Sequence, residues 1–229
     1  MLTIILAESE LERIPFQILS HPAIISYAKK LNKKTERLIL DSSFHHSALR
    51  KIPEGNRRGR PDIVHIFLLT TLESIVNKRK HLKVIVHTRN NEAIYIHPET
   101  RLMRNYTRFI GLMEQLFEKK KISSDDKNLL EIYENVPLEE IVEREKSDFV
   151  IAFSPEGEKV RLLDYFKNLE KKNCKDLLCI IGGFPHGDFH CDIKKYVDET
   201  IAIYDKPLSA WTVANEVLVN YENIFLNKK

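Results

Sequence analysis

The sequence of 229 residues contains no long apolar run, only seven glycines and only three cysteines. No segment approaches the roughly 18 consecutive apolar residues that a membrane-spanning helix needs, so we expect no membrane partner. The apolar start of the chain is short and runs directly into acidic residues, unlike a secretory signal peptide. The cysteines are odd in number and close together, which favours a reducing, cytoplasmic compartment over a disulfide-stabilised fold: Cys174, Cys179 and Cys191.

A large excess of one charge is also missing, because the chain has 36 Lys and Arg residues and 33 Asp and Glu residues, which gives a net charge of only +3. This excess alone is too small to indicate a nucleic-acid partner. Hydrophobic residues make up 43% and charged residues 30% of the chain, as in ordinary soluble globular proteins. The length suits one large domain or a domain that carries a sizeable insertion.

Several familiar cofactor and catalytic motifs are absent. There is no Gly-x-Gly-x-x-Gly fingerprint, which argues against a nicotinamide site, and no Ser-His-Asp signature or internal repeat. Gly182 and Gly187 have the glycine spacing of a P-loop, but Asp188 and Phe189 follow where that loop needs Lys and Ser or Thr. An acid at this place repels phosphate and tolerates a neutral or cationic ligand.

A metal site is not predicted. His186, His190 and Cys191 lie close together in sequence, but they lack a fourth ligand and any standard zinc spacing. His45 and His46 are adjacent and likewise lack further ligands, so a surface or packing role is the simpler interpretation.

A strong α/β signal lies near the C-terminus. The apolar run 177–181 predicts a buried strand that ends in the glycine-rich loop 182–188. A second strand at 200–204, a turn at 205–207 and a helix that begins at Ser209 follow. Ligands of an open α/β sheet bind outside the carboxyl ends of such strands, and glycine lets the backbone approach them. A plain strand–loop connection remains the alternative.

The rest of the chain alternates apolar strands with amphipathic helices. The predicted strands lie at residues 2–7, 38–40 and 148–153, with a hairpin formed by 82–86 and 93–96. The strand at 148–153 is expected to end in a second loop, Ser154–Gly157. The predicted helices lie at residues 15–31 (bent near Pro22), 61–76, 101–116, 160–172 and 208–225, with shorter helical segments at 127–134 and 137–146.

A basic loop with almost no apolar content precedes the helix at 61–76. It contains Arg57, Arg58 and Arg60, and loops of this composition can contact phosphates. Pro61 suits the first turn of the helix. Asp62 lies in the same turn, where its charge is favourable, and it could hold an arginine through two hydrogen bonds. A solvated loop without a ligand remains the alternative.

A second group of arginines is spaced three and four residues apart. On a helix, Arg101, Arg104 and Arg108 would share one face. No acid stands at their i+4 positions until Glu114, so this face would be uniformly basic. The opposite face would be apolar and suited to the core: Leu102, Phe109, Leu112, Met113 and Leu116. Such a face suits RNA, although a merely solvated face remains open.

Three features occur in this order along the chain: the basic loop 57–62, the arginines of the predicted helix at 101–116, and the glycine-rich loop 182–187. With them, the chain resembles the ribosome-biogenesis methyltransferases that modify N1 of a pseudouridine in small-subunit ribosomal RNA. These enzymes belong to the SPOUT class of knotted methyltransferases. The resemblance covers nearly the whole chain and implies one SPOUT-type domain over residues 1–229. It implies a parallel sheet with helices on both faces, a C-terminal deep trefoil knot and a family-specific hairpin and helical extension at roughly 44–108. It also implies a homodimer.

The same resemblance implies a site. S-adenosyl-L-methionine would be held by three loops at 154–157, 182–187 and 203–210. The implied cofactor-binding residues are Ser154, Gly182, Gly183, Gly187, Ile203, Tyr204, Asp205, Lys206, Pro207, Leu208 and Ala210. The implied RNA-binding residues are Arg60, Arg101, Arg104 and Arg108. Asp62 would orient Arg60 and is also a candidate base.

The implied activity is methylation of pseudouridine N1 in a small-subunit rRNA loop, with ribosomal proteins or assembly factors as further partners. Two alternatives use the same residues. One is a non-catalytic RNA-binding ribosome assembly factor, and the other is a small-molecule-binding domain with a merely basic surface.

Overall fold

Eight strands form one sheet in the computed structural model, which describes residues 1–124 and 126–227. In chain order they are β1 (Leu2–Ser9), β2 (Leu82–Thr88), β3 (Ala93–Ile96), β4 (Lys121–Ser124), β5 (Lys127–Tyr133), β6 (Phe149–Lys159), β7 (Leu177–Gly182) and β8 (Glu199–Ala202). The α-helices of the described residues are α1 (Pro22–Leu31), α2 (Ser42–Leu49), α3 (Pro61–Leu72), α4 (Ile75–Lys78), α5 (Tyr106–Lys119), α6 (Leu138–Glu145), α7 (Leu162–Lys171) and α8 (Ala210–Tyr221).

The sheet is mixed, with the strand order β4-β5-β3-β2-β1-β7-β6-β8. The strands β2, β1, β7, β6 and β8 run parallel, whereas β3, β5 and β4 are antiparallel to their neighbours. The expected parallel sheet thus accounts for five of the eight strands, and the predicted hairpin supplies the first antiparallel strand at one edge. A short turn joins β2 to β3, where Thr88 N–H donates to the Glu92 carbonyl (2.9 Å), and so short a connection can join only antiparallel strands.

Helices cover both faces of the sheet, as expected. Successive side chains of a strand point to opposite faces. On β1, Leu2, Ile4 and Leu6 lie in the cluster that contains α3, α5, α7 and α8. Ile5 and Ala7 lie in the cluster on the other face, to which α6 contributes. These five β1 side chains are completely buried, as is usual for a central parallel strand.

A third, smaller cluster joins α1 and α2 beside the sheet. The helix predicted for 15–31 is divided here into a 3-10 turn at Phe16–Ile18 and α1. Pro22 occupies the first turn of α1, and the His21 ring accepts a hydrogen bond from Ala23 N–H (3.2 Å). The predicted bend near Pro22 is therefore a helix start.

Two predicted elements differ from the structure. Residues 38–40 were expected to form a strand, but only Ile39 makes an isolated bridge, with Arg13. The chain turns directly into α2, which Asp41 caps by accepting from Ser43 N–H (2.8 Å). Residues 127–134 were expected to be helical, but all except the last form β5, because this segment pairs with both β3 and β4.

Most of the remaining strand and helix predictions are confirmed to within a few residues, but the helix predicted from residue 101 begins only at Tyr106. Another exception is β6, which continues to Lys159 instead of ending before Ser154. Its register with β8 shifts between Phe153 and Glu158, so the predicted loop is an irregularity within the strand. No helix within residues 1–124 and 126–227 is long and apolar enough to cross a membrane.

Candidate functional site

A pocket lies where the parallel strands β7 and β8 end in loops and where the strand between them in the sheet, β6, is irregular after Phe153. Most of the residues predicted to bind a cofactor line it: Ser154, Gly182, Gly187, Ile203, Tyr204, Lys206, Pro207, Leu208 and Ala210. The structure thus brings together loops that are up to about 50 residues apart in sequence. It does so at the sheet edge where α/β proteins bind ligands.

Gly183 and Asp205 do not line this pocket. Gly183 N–H donates to the Ala7 carbonyl (2.7 Å), and the Gly183 carbonyl accepts from Glu10 N–H (3.2 Å). A Cβ at Gly183 would lie 2.7 Å from Ser9 Cα, so the close approach of the loop to β1 requires glycine. Asp205 instead accepts from Lys159 Nζ (2.5 Å). Both residues therefore fix loops around the pocket.

The pocket walls are largely apolar. Side chains that the sequence had not indicated as ligand-binding contribute to them: Phe153, Ile181, Phe184 and Val213. Asp188 also lines the pocket, and its carboxylate accepts from Phe189 N–H (2.9 Å). An apolar pocket with an acid at its wall suits a ligand with a flat apolar group and a positive charge, and disfavours a phosphate.

A buried arginine holds the loop that follows β7. Arg57 donates through Nε to the Glu10 carboxylate (3.0 Å) and through Nη1 to the Asp188 carbonyl (2.8 Å). Its guanidinium carbon lies 3.9 Å from the centre of the Phe184 ring, a cation–π contact. Gly187 adopts φ +84°, a left-handed conformation that turns the loop back toward Arg57.

Acidic residues at the end of β1 neutralise this part of the basic loop. Arg57 also donates to Glu8 (3.3 Å), and Arg58 donates to Glu12 through two bonds of 2.8 and 2.6 Å. Arg89 donates to Glu10 (2.8 Å). Arg57 and Arg58 are thus paired with carboxylates, which favours a structural role over the phosphate contacts that a basic loop can make.

Glu8 extends the network to the chain after the pocket loop. Its carboxylate accepts from His190 N–H (2.7 Å) and Cys191 N–H (2.9 Å). Burial, together with this nearby carboxylate, raises the pKa of the Cys191 thiol to about 12, so Cys191 is a protonated packing residue at neutral pH.

Arg60 and Asp62 form the predicted pair. The Arg60 guanidinium donates to both Asp62 carboxylate oxygens (2.8 and 2.7 Å), and both side chains are about one-third exposed. The hydrogen bond to Asp62 raises the pKa of Arg60. Arg60 N–H donates to the Glu10 carbonyl (2.9 Å), and Glu10 N–H donates to the Gly183 carbonyl (3.2 Å). Two backbone hydrogen bonds therefore connect Arg60 to the pocket loop.

Arg101, Arg104 and Arg108 are exposed, and none pairs with a carboxylate within the described part of the chain. The prediction that all three share a helix face is wrong, because α5 begins only at Tyr106. Asn105 caps this helix by accepting from Arg108 N–H (3.0 Å), so the chain before it is not helical. The preceding chain is held instead by His65, whose Nε2 donates to the Met103 carbonyl (2.8 Å).

A partly buried hydrogen bond joins the start of α5 to the start of α2. The Tyr106 hydroxyl donates to the Asp41 carboxylate (2.6 Å). Burial and this carboxylate raise the pKa of Tyr106, so the hydroxyl remains a donor. The polar residues at 41–43 are noticeable in the sequence, but nothing in it indicates a partner 65 residues away.

The histidines and cysteines do not converge. Within the residues that the structure describes, no group of three or more His, Cys, Asp or Glu side chains could hold a metal ion. His186 pairs with Asn56 (3.3 Å), and His190 lies 3.4 Å from Glu54. All three cysteines are free.

The fold and the site together define an α/β protein with a small-molecule pocket beside an arginine-bearing surface. The family model described as EMG1/NEP1 methyltransferase matches residues 4–222. The chain therefore belongs to the EMG1/NEP1 methyltransferase family.

Individual proteins that are similar to the chain support the same family. The chain is 48% identical to the Ribosomal RNA small subunit methyltransferase Nep1 of Methanothrix thermoacetophila, over 97% of this chain and 96% of the relative. It is 50% identical to the protein of the same name from Pyrococcus furiosus, over 96% of both chains. Among solved structures, the chain is similar to Archaeoglobus fulgidus Nep1 bound to S-adenosylhomocysteine, with a TM-score of 0.85, 35% identity and 97% of each chain covered.

Proposed function

We propose that this chain is an S-adenosylmethionine-dependent methyltransferase that methylates N1 of a pseudouridine in small-subunit rRNA during ribosome biogenesis. One observation carries the proposal. The loop that lines the pocket and the partly exposed Arg60 are connected through Glu10 by two backbone hydrogen bonds. A methyl donor in the pocket and an RNA held by Arg60 would therefore be neighbours, as group transfer requires.

The residues of the pocket fit the donor. The Archaeoglobus relative holds S-adenosylhomocysteine, the product that remains after S-adenosylmethionine gives up its methyl group. Adenine suits the apolar walls, and Asp188 suits the cationic groups of the donor. The predicted lining residues from Ser154 to Ala210 would hold it, while Gly183 and Asp205 support the loops. Bound S-adenosylmethionine supplies an electrophilic methyl group on its sulfonium.

The exposed arginines fit RNA. Arg101, Arg104 and Arg108 lack carboxylate partners within the described residues, so their charges are available to phosphates. Sequence-specific RNA recognition uses unpaired loops, whose bases can be turned out of the stack. We assign Arg60, Arg101, Arg104 and Arg108 to contacts with such a loop, with the target base turned toward the pocket.

Pseudouridine differs from uridine in having an N1–H, and this proton must leave N1 around methyl transfer. Asp62 is the candidate base, but it accepts two hydrogen bonds from Arg60. An acid paired in this way is a weaker base. We therefore assign Asp62 to positioning Arg60, and the rate to in-line placement of N1 and the methyl group.

At the level of the whole chain, we propose a single SPOUT-type domain with a C-terminal trefoil knot, an extension at roughly 44–108, a homodimeric state and a cytoplasmic location. Light scattering should give the mass of a dimer. In single-molecule stretching from both termini, the final extension of a knotted chain should be shorter than the full contour length of the same chain without a knot. A monomer mass and a full extension would contradict these assignments.

The activity is tested with two synthetic RNA loops that are identical except for uridine or pseudouridine at the target position. Labelled methyl transfer from S-adenosylmethionine to the pseudouridine loop alone is expected. Label on both loops would support methyltransferase activity but contradict N1 as the methylated atom. Binding of RNA without label on either loop would favour the assembly factor, and binding of neither RNA nor S-adenosylmethionine would contradict both.

The RNA surface is tested with Arg104→Ala. RNA binding should weaken, and the slope of log affinity against log salt should fall by about 0.7 for one lost single-strand phosphate contact. S-adenosylhomocysteine affinity should not change. Arg161→Ala is the matched control, because Arg161 is also an exposed arginine but already pairs with Asp164. Loss of S-adenosylhomocysteine binding in Arg104→Ala would contradict the assignment.

A further inference from the structure

An aromatic pair on α1 and α2 reaches from the core to the surface: Tyr27 packs against the third core cluster, whereas Phe44 belongs to none of the clusters. The Phe44 ring stacks on the Tyr27 ring, with centroids 4.7 Å apart and an angle of 20° between the planes. Tyr27 is in turn held by an edge contact with the buried His45 ring, at 5.0 Å and 82°. Phe44 itself is 51% exposed. The structure thus fixes an exposed aromatic ring in one orientation by a second ring beneath it.

This pair is linked to the arginines assigned to RNA. Phe44 N–H donates to the Asp41 carbonyl (3.1 Å), so Phe44 is in the first turn of α2. The Asp41 carboxylate accepts from Tyr106, which lies between Arg104 and Arg108 along the chain. The Tyr27–Phe44 pair and the arginine segment are therefore joined through the single hydrogen bond between Asp41 and Tyr106.

The charge around the pair suits a polyanion. Lys29 and Lys30, which follow Tyr27 in the last turn of α1, are exposed and have no carboxylate partner in the described part of the chain; the same is true of Arg50 and Lys51, at the end of α2 opposite to Phe44. Other cations nearby are neutralised, since Lys33 pairs with Glu114 and Arg37 with Glu118 (2.6 Å). A protein partner would need a larger apolar contact area than one ring provides.

We propose that Phe44, supported by Tyr27, stacks on an unpaired base of the RNA loop that lies next to the nucleotides held by Arg104 and Arg108. Single-stranded RNA is bound by this combination of aromatic rings for bases and cations for phosphates. The inference rests on the proposed RNA substrate, and it adds a base-stacking site outside the arginine surface.

The test compares Phe44→Ala, Phe44→Trp and wild type in the full chain, with the synthetic pseudouridine loop as the probe. Stacking on one aromatic side chain is worth about 1–3 kcal/mol, so Phe44→Ala should lower RNA affinity by about 5- to 100-fold. Because stacking is not ionic, the slope of log affinity against log salt should stay at its wild-type value, unlike in Arg104→Ala. Phe44→Trp should restore the affinity.

Phe16→Ala is the matched control, because Phe16 is 87% exposed and makes no ring contact with another described residue. It should bind RNA like wild type. A fluorescent 2-aminopurine placed at each loop position in turn should show one position whose quenching on wild type is lost on Phe44→Ala. Melting temperature, dimer mass and S-adenosylhomocysteine affinity of Phe44→Ala should match wild type.

Two results would overturn the proposal. The first is equal RNA affinity of Phe44→Ala and Phe16→Ala. The second is a lower RNA affinity of Phe44→Ala together with a changed mass or melting temperature. That second result would assign the Phe44 ring to packing or to contact with a second copy of the chain. Methyl transfer by wild type to the pseudouridine loop separates these results from a failure of the proposed function. Without such transfer or RNA binding by wild type, both proposals fall.

Discussion

At the scale of single residues, Arg57 supports the pocket although it does not line it. Its side chain reaches two carboxylates, one carbonyl of the pocket loop and the Phe184 ring, and it is almost completely buried. Removing one member of a buried ion pair leaves the other charge without compensation. Such a change usually costs about 3–5 kcal/mol.

We therefore expect Arg57→Ala to lower the free energy of unfolding by about 3 kcal/mol or more, measured by urea denaturation. S-adenosylhomocysteine affinity, measured by calorimetry below the unfolding transition, should fall as well, because Asp188 and Phe184 lose their support. The control is Arg144→Ala, whose exposed pair with Glu140 should cost less than about 0.5 kcal/mol. Equal effects of the two variants would contradict a supporting role for Arg57.

His45 makes the stability of the protein depend on pH. Burial lowers the pKa of His45 from its ordinary value of 6.5 to about 4, although the Asp41 charge acts in the opposite direction. Its Nδ1 accepts from Asp41 N–H (3.0 Å), which requires an unprotonated nitrogen there. The unfolded chain therefore binds a proton at His45 at a higher pH than the folded chain does.

Because the folded pKa is depressed, the contribution of neutral His45 is fully present above about pH 6.5 and is lost as the pH falls toward 4. The loss over this window should be about 3 kcal/mol at most. The difference in unfolding free energy between wild type and His45→Asn should shrink across the same window. A difference that stays constant from pH 7 to 4 would show that His45 does not titrate in this way.

At the scale of elements, the loop after β7 depends on its contact with β1. Gly183→Ala would place a Cβ 2.7 Å from Ser9 Cα, a backbone atom that cannot move aside. We expect this variant to lose stability and S-adenosylhomocysteine affinity, as measured by thermal unfolding and calorimetry. Gly111→Ala is the control within α5, where nothing lies within 4 Å of the new Cβ. Gly111→Ala should be more stable than wild type by up to about 1 kcal/mol. Equal destabilisation by both variants would contradict a specific need for glycine at position 183.

The elements also show where sequence patterns are sufficient. β7 and the pocket loop follow from an apolar run and two glycines, and α3 follows from Pro61 and Asp62. The spacing of Arg101, Arg104 and Arg108 fits a helix equally well, but the Asn105 cap decides where α5 begins. β5 shows the same limit, because its pairing with β3 and β4 determines its structure, and neither partner is evident from the segment alone.

At the scale of the whole molecule, the position of the pocket could be predicted because parallel strands place their carboxyl ends at one edge of the sheet. The ion pairs that support it could not. Glu8 and Glu10 are separated from Arg57 by 49 and 47 positions, and only the fold brings them together. The one signal is chemical: the three acids at 8, 10 and 12 equal the arginines of the basic loop in number and are opposite to them in charge.

At the centre of the proposed function, the pocket and the arginine surface together deliver a methyl group to one atom of RNA. The most direct measurement digests a pseudouridine-containing small-subunit rRNA fragment to nucleosides after reaction with wild type and S-adenosylmethionine, and locates the methyl group by mass spectrometry. We expect N1-methylpseudouridine as the single product. A methyl group on N3, on a ribose hydroxyl or on another base would contradict it.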